Sequence, residues 1–149
     1  TVDVGAAANG TLGLGADTLS LTGLTGGITV TDFALGAGGD VLSVNTGAPM
    51  TFGGLVATAT GGADGVATKL SILGFAVADD AGAKAELVTG GETAIIVINN
   101  ATGVAELWYD ADGVAGSEVK LATFENITTV GVLTDATSGF VAANFGIWA

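Results

Sequence analysis

Acidic side chains set beside glycine are the residues here whose type and spacing can do chemistry. Asp110-Ala111-Asp112-Gly113, followed by Glu118, begins like a D-x-[DN]-x-[DN]-G calcium loop. It then departs from that pattern, because Val114 takes the third ligand position, the glycine falls two places early and Glu118 comes before the bidentate position. Two readings stay open: a loose calcium site built from Asp110, Asp112, a loop carbonyl and Glu118, or a hairpin loop held by its own Asx turns. Asp32 and Asp40 bracket the glycine loop Gly36-Ala37-Gly38-Gly39 and could hold an ion or simply cap that turn. Asp17 stands in a similar setting, after Gly13-Leu14-Gly15-Ala16.

The rest of the composition narrows the chemistry. Asp and Glu number 15 against 3 lysines, and the chain has no arginine, histidine or cysteine, which leaves a net charge of −12. Histidine-dependent catalysis, thiol nucleophiles, Cys/His zinc sites and disulfides are thereby removed. A nucleic-acid partner is excluded too, since it demands a basic surface. Carboxylate and carbonyl oxygens remain, and they suit hard ions, so Ca2+ is the expected cofactor. No acidic pair lies in a recognised catalytic context, and no enzyme is expected. Trp108 and Tyr109 are neighbours on a strand and so face opposite sides of a sheet, which speaks against an aromatic platform for carbohydrate.

These residues need elements to position them. A chain of 149 residues suits one domain, which at this size buries roughly 68–70% of its unfolded surface. With 26 glycines and a single proline, Pro49, it reads as many turns between short strands, an all-β fold with at most one short helix. Three zones divide residues 1–149. Residues 1–48 carry short β-roll-like strands, including Ile28–Phe33 and Val41–Val44. Residues 49–91 are a variable stretch with strand-like Met50–Phe52, Leu55–Thr58 and Lys69–Val77, then a helical turn or two over Asp79–Leu87, where acids precede Lys84. Residues 92–149 hold Thr93–Ile98, a hairpin loop at Asn99–Gly103, Val104–Tyr109, the Asp110–Ser117 loop and Glu118–Phe124, an antiparallel meander or sandwich half. No apolar run approaches the length of a membrane-spanning helix. The start, Thr1-Val2-Asp3, is neither an initiator methionine nor a signal-peptide start, and suggests a fragment or a processed product.

Two of these stretches resemble known patterns. Leu12 to Ser20 lines up with the calcium-binding nonapeptide of RTX proteins, G-G-x-G-x-D-x-U-x, with Leu12 in place of the first glycine and Asp17 at the ligand position. Residues 28–44 are similar to the segment that closes RTX β-rolls. The ordered series Asn99, Thr102-Gly103, Leu107, Tyr109-Asp110-Ala111-Asp112-Gly113, Gly116 and Leu121-Ala122-Thr123 resembles the C-terminal target domain of bacterial type I secreted proteins. The ending Phe140 to Ala149 resembles that family's apolar terminus, with Asn144 where the family usually has Asp. The resemblance implies a secreted or cell-surface protein of a Gram-negative bacterium, exported through a type I ABC-transporter machinery. Its uncleaved signal would lie at the C-terminus, around Phe140, Phe145, Ile147 and Trp148, and calcium would assist folding outside the cell. A self-associating module of a surface layer, fibre or adhesin is the alternative.

Overall fold

The computed structural model of the chain describes residues 2–4, 9–10, 15–21, 27–45, 49–60, 64–67, 69–87 and 90–146. Its strands fall into two sheets. β1 (Val2–Val4), β3 (Thr18–Leu21) and β5 (Val41–Val44) form a three-stranded parallel sheet. The second sheet is seven-stranded, and its edge-to-edge order begins with β2 (Asn9–Gly10), β4 (Ile28–Val30), β10 (Val119–Phe124) and β9 (Val104–Asp110). It continues with β8 (Thr93–Asn99), β7 (Lys69–Val77) and β6 (Thr51–Val56).

The first five strands alternate between the sheets, and within each sheet they stack in parallel: Val2 pairs with Leu19, Asn9 with Thr29, and Thr18 with Val41. This is the β-roll-like coil expected of the first zone. It merges into the rest of the protein where β4 pairs in parallel with β10, from Ile28 against Ala122 to Val30 against Phe124.

β8, β9 and β10 form the expected antiparallel meander, with Ile96 opposite Leu107 and a bulge between Lys120 and Ala122. Its outer flank is parallel instead. β7 runs parallel to β8, and α1 (Asp80–Ala85) supplies the crossover that parallel neighbours require. Asp79 caps this helix by accepting from the Gly82 N–H at 2.9 Å, and Lys84 lies in its last turn, as the order of charges predicts. β6 pairs with β7 in parallel and takes in Thr51-Phe52 and Leu55-Val56 from the two strand-like pieces, joined through an irregularity between Phe52 and Gly54, while Met50, Ala57 and Thr58 lie outside it.

Every residue of β8 is buried, because the large sheet is covered on both faces. With a side-chain period of two, Ala94, Ile96 and Ile98 enter the main core and Ile95 and Val97 enter a second one. The main core joins the two sheets through Leu19, Leu42, Val30, Ile72, Leu107 and Phe124. The second core lies under α1 around Leu73, Leu87 and Trp108. A second short helix, α2 (Val130–Thr134), is an addition to the single one expected. Thr129 caps it by accepting from the Val132 N–H at 3.2 Å, and it drives Leu133 into the main core. No helix among the described residues is long and apolar enough to cross a membrane.

Candidate cation loop and the docked C-terminal segment

The loop between β9 and β10 is built from Asx turns. Asp110 Oδ1 accepts from the Asp112 N–H at 3.1 Å, and Asp112 Oδ1 accepts from the Val114 N–H at 2.9 Å. The Val114 N–H, with help from the Ser117 hydroxyl, holds the Asp112 carboxyl below the usual carboxylate range. Gly113 lets the turn close, with φ at +69° and its backbone against Gly90 and Gly91, where a Cβ would lie 2.2 Å from the Gly91 nitrogen. The Gly90 N–H then donates to the Gly113 carbonyl at 3.1 Å, fastening the loop to the chain that enters β8.

Ser117 draws the two aspartates together. Its Oγ lies 2.7 Å from Asp110 Oδ1, 2.9 Å from Asp112 Oδ1 and 3.2 Å from the Val114 carbonyl. Asp110 is fully buried at the end of β9, and its Oδ2 has no hydrogen-bond partner. Glu118, the third carboxylate expected here, turns both oxygens to the Gly116 N–H at 3.0 Å. Serine is ordinary in a turn, so the place of Ser117 between Gly116 and Glu118 is too weak a sequence signal to mark this role.

The other expected ligands are arranged differently. Asp40 is fully buried, and its two oxygens are taken by backbone donors, the Asp17 N–H at 2.8 Å and the Ala34 N–H at 2.6 Å. It therefore works as the internal cap of the glycine loop. Asp17 meets Asp40 through its backbone, and its own carbonyl accepts from the Val41 N–H at 2.7 Å. Asp32 is half-buried on the entry to that loop. No group of three or more acidic side chains placed to hold a metal occurs among the described residues.

The C-terminal segment is packed into the fold. Phe140 lies 5.3 Å from Phe33 and 5.6 Å from Phe124, and Phe145 lies 5.5 Å from Phe140 and 4.7 Å from Phe52, measured between ring centroids. Five of the six phenylalanines thus form one chain of rings. Phe145 bridges to Leu42, and the Gly146 N–H donates to the Leu42 carbonyl at 2.8 Å, which sets the segment along β5. Asn144 locks it. Fully buried, it accepts from the N–H groups of Val141 and Gly36 and donates to the carbonyls of Gly36 and Asp40. Ile147 and Trp148 lie outside the described residues.

A polar cluster that the sequence reading did not mark sits on the opposite face. Glu106 is fully buried and receives Asn99 Nδ2 at 3.0 Å, Trp108 Nε1 at 2.9 Å, Thr102 Oγ1 at 3.1 Å and Lys120 Nζ at 3.1 Å. The Lys84 and Lys120 amines stand 5.8 and 5.3 Å from the Trp108 ring centroid. With every acceptor site of Glu106 engaged, this cluster ties β8, β9 and β10 together and presents no reactive group. Trp108 and Tyr109 point to opposite faces, and both are buried, Tyr109 donating its hydroxyl to Glu92 at 2.7 Å. No family model, curated protein or solved structure shows significant similarity to the chain.

Proposed function

We propose that the chain is a non-catalytic C-terminal domain of a larger extracellular bacterial protein, exported by a type I secretion machinery and folded with the help of calcium outside the cell. The observation that carries this reading is the continuity of the fold. A coil of short parallel strands runs into the meander whose β9–β10 loop holds Tyr109-Asp110-Ala111-Asp112-Gly113, and the C-terminal segment closes over both. In such a protein the terminal residues are read by the transporter while the chain is unfolded and are then withdrawn into the core. The packing of Phe140 and Phe145 supports that order of events. The net charge of −12 supports it as well, since self-repulsion loosens the chain where calcium is scarce and outside calcium relieves it.

Deleting the last ten residues from the parent protein should leave it inside the cell. Undiminished export of the truncated protein would overturn the signal role. If the chain is instead a self-assembling surface-layer or adhesin module, electron microscopy of the purified chain in calcium should show ordered sheets or filaments.

A further inference from the structure

We propose that the Asp110–Ser117 loop binds one hard divalent cation of calcium's size through Asp110, Asp112, the Ser117 hydroxyl and the Val114 carbonyl. The inference starts from hydrogen counting. Ser117 has one hydroxyl proton, yet three acceptor oxygens stand within 3.2 Å of its Oγ. The carboxylates and the carbonyl bring no proton of their own. One proton is thus shared among three acceptors, two of them carboxylate oxygens of like charge drawn to the same hydroxyl.

Asp110 makes the shortage acute. It is fully buried, its Oδ1 already serves the Asp112 N–H and Ser117, and its Oδ2 has no partner. A buried carboxylate oxygen without a donor costs free energy that the fold must recover elsewhere. The chain's own cations do not supply it. Lys120 is engaged with Glu106 and Asp80, Lys84 stands over Trp108, and no lysine amine among the described residues pairs with Asp110 or Asp112.

The donor set selects the ion. Four protein oxygens, two of them from carboxylates, leave room for water in the six to eight positions calcium takes, as in weak extracellular sites. Magnesium demands a near-ideal octahedron and gives up water reluctantly. The loop is already held for the task by the Gly113–Gly90 bond and by Glu118, which clasps the Gly116 N–H instead of reaching for the ion. This names a site for the calcium part of the reading above, and its test does not involve export.

The full chain is unfolded in urea in a chelator and again in 10 mM CaCl2 at matched ionic strength, with titration calorimetry of calcium in parallel. With a dissociation constant of about 1 mM, the folding equilibrium constant should rise about tenfold in calcium. Asp110→Asn should abolish that rise while folding at least as well as the natural chain in chelator, since it removes the unpartnered buried charge. Asp112→Asn, at an exposed position, should weaken the response to calcium, read against its own stability in chelator, which falls somewhat with the loss of the charge that Val114 and Ser117 hold, so the test survives if the first variant fails to fold. An unaltered transition in calcium would overturn the proposal. So would an equal response to magnesium, which marks general screening, or a calcium response that persists in both variants. Stabilisation by acid alone would also overturn it, by assigning the missing charge to a proton shared between the two aspartates.

Discussion

Replacing Asn144 with Asp tests how the C-terminal segment is held. The substitution keeps the shape and both acceptor roles, toward the Gly36 N–H at 3.2 Å and the Val141 N–H at 3.1 Å. It removes both donations, to the Gly36 carbonyl at 3.1 Å and the Asp40 carbonyl at 2.8 Å. The two losses differ in weight. The Gly36 carbonyl still receives the Gly39 N–H at 3.0 Å, so it loses one bond of two, about 0.5–1.5 kcal/mol. Among the described residues the Asp40 carbonyl has no other donor, and orphaning it costs about 1–3 kcal/mol. The sum is about 1.5–4.5 kcal/mol before the cost of a buried negative charge facing carbonyl oxygens is added. Protonating the new carboxyl removes that charge and returns one donor, so its pKa in the folded protein must lie above the ordinary value of about 3.9. The stability of the variant is then greatest below that ordinary value and falls as pH rises through the folded one. Urea unfolding followed by tryptophan fluorescence at pH 7 and pH 4 measures both effects. A loss under about 1 kcal/mol at pH 7, or a loss that grows in acid relative to the natural chain, would refute the reasoning.

Gly113→Ala should destabilise by about 2–5 kcal/mol, since a left-handed φ costs about 1–2 kcal/mol and the new Cβ meets the backbone of Gly91, with thermal unfolding as the measurement. Burial pushes the Glu86 carboxyl above its ordinary range, with the neighbouring Asp64 carboxylate adding to the push. Its contribution is therefore fully present below the unfolded value of 4.5 and lost as pH rises through the folded one, and Glu86→Gln should flatten that part of the stability–pH curve.

Much of this fold was legible because local pattern and tertiary environment agree. Ala94 to Ile98 is apolar throughout and becomes the heart of the strand buried on both faces, Gly103 supplies the positive φ its hairpin requires, and Asp79 caps the helix that its acids announced. What escaped the sequence depends on partners far along the chain. Nothing in Ile28-Thr29-Val30 indicates that it will pair with Ala122-Thr123-Phe124, and that pairing turns a coil and a meander into one sheet. α2 escaped because Val130-Gly131-Val132 has poor helix propensity, and only the Thr129 cap and the burial of Leu133 settle it. At the candidate sites the residue types were visible and their duties were not. Asp40 has the look of a ligand in sequence, and the two N–H groups that occupy it come from residues 17 and 34.

The distribution of donors explains why one acidic turn stands apart. Two of the three lysines gather on the Trp108 face, and one of them, Lys120, pairs there with Asp80 and Glu106. Backbone N–H groups take over: Asp64 receives Thr60, Asp79 receives Gly82, Asp135 receives Thr137 and Ser138, and Glu118 receives Gly116. The Ser138 and Thr137 N–H groups hold the Asp135 carboxyl below its ordinary range, the mark of a charge settled by dipoles alone. This arrangement needs turns with free amides, which is why the acids stand beside glycine and why so acidic a chain can fold with so few bases. It runs short at Asp110. That side chain sits at the end of a buried strand, where the amides belong to the sheet, and only one of its oxygens reaches the loop's own donors. The cation proposed for the β9–β10 turn would meet the one buried carboxylate oxygen that, among the described residues, the chain's own hydrogen bonds leave without a donor.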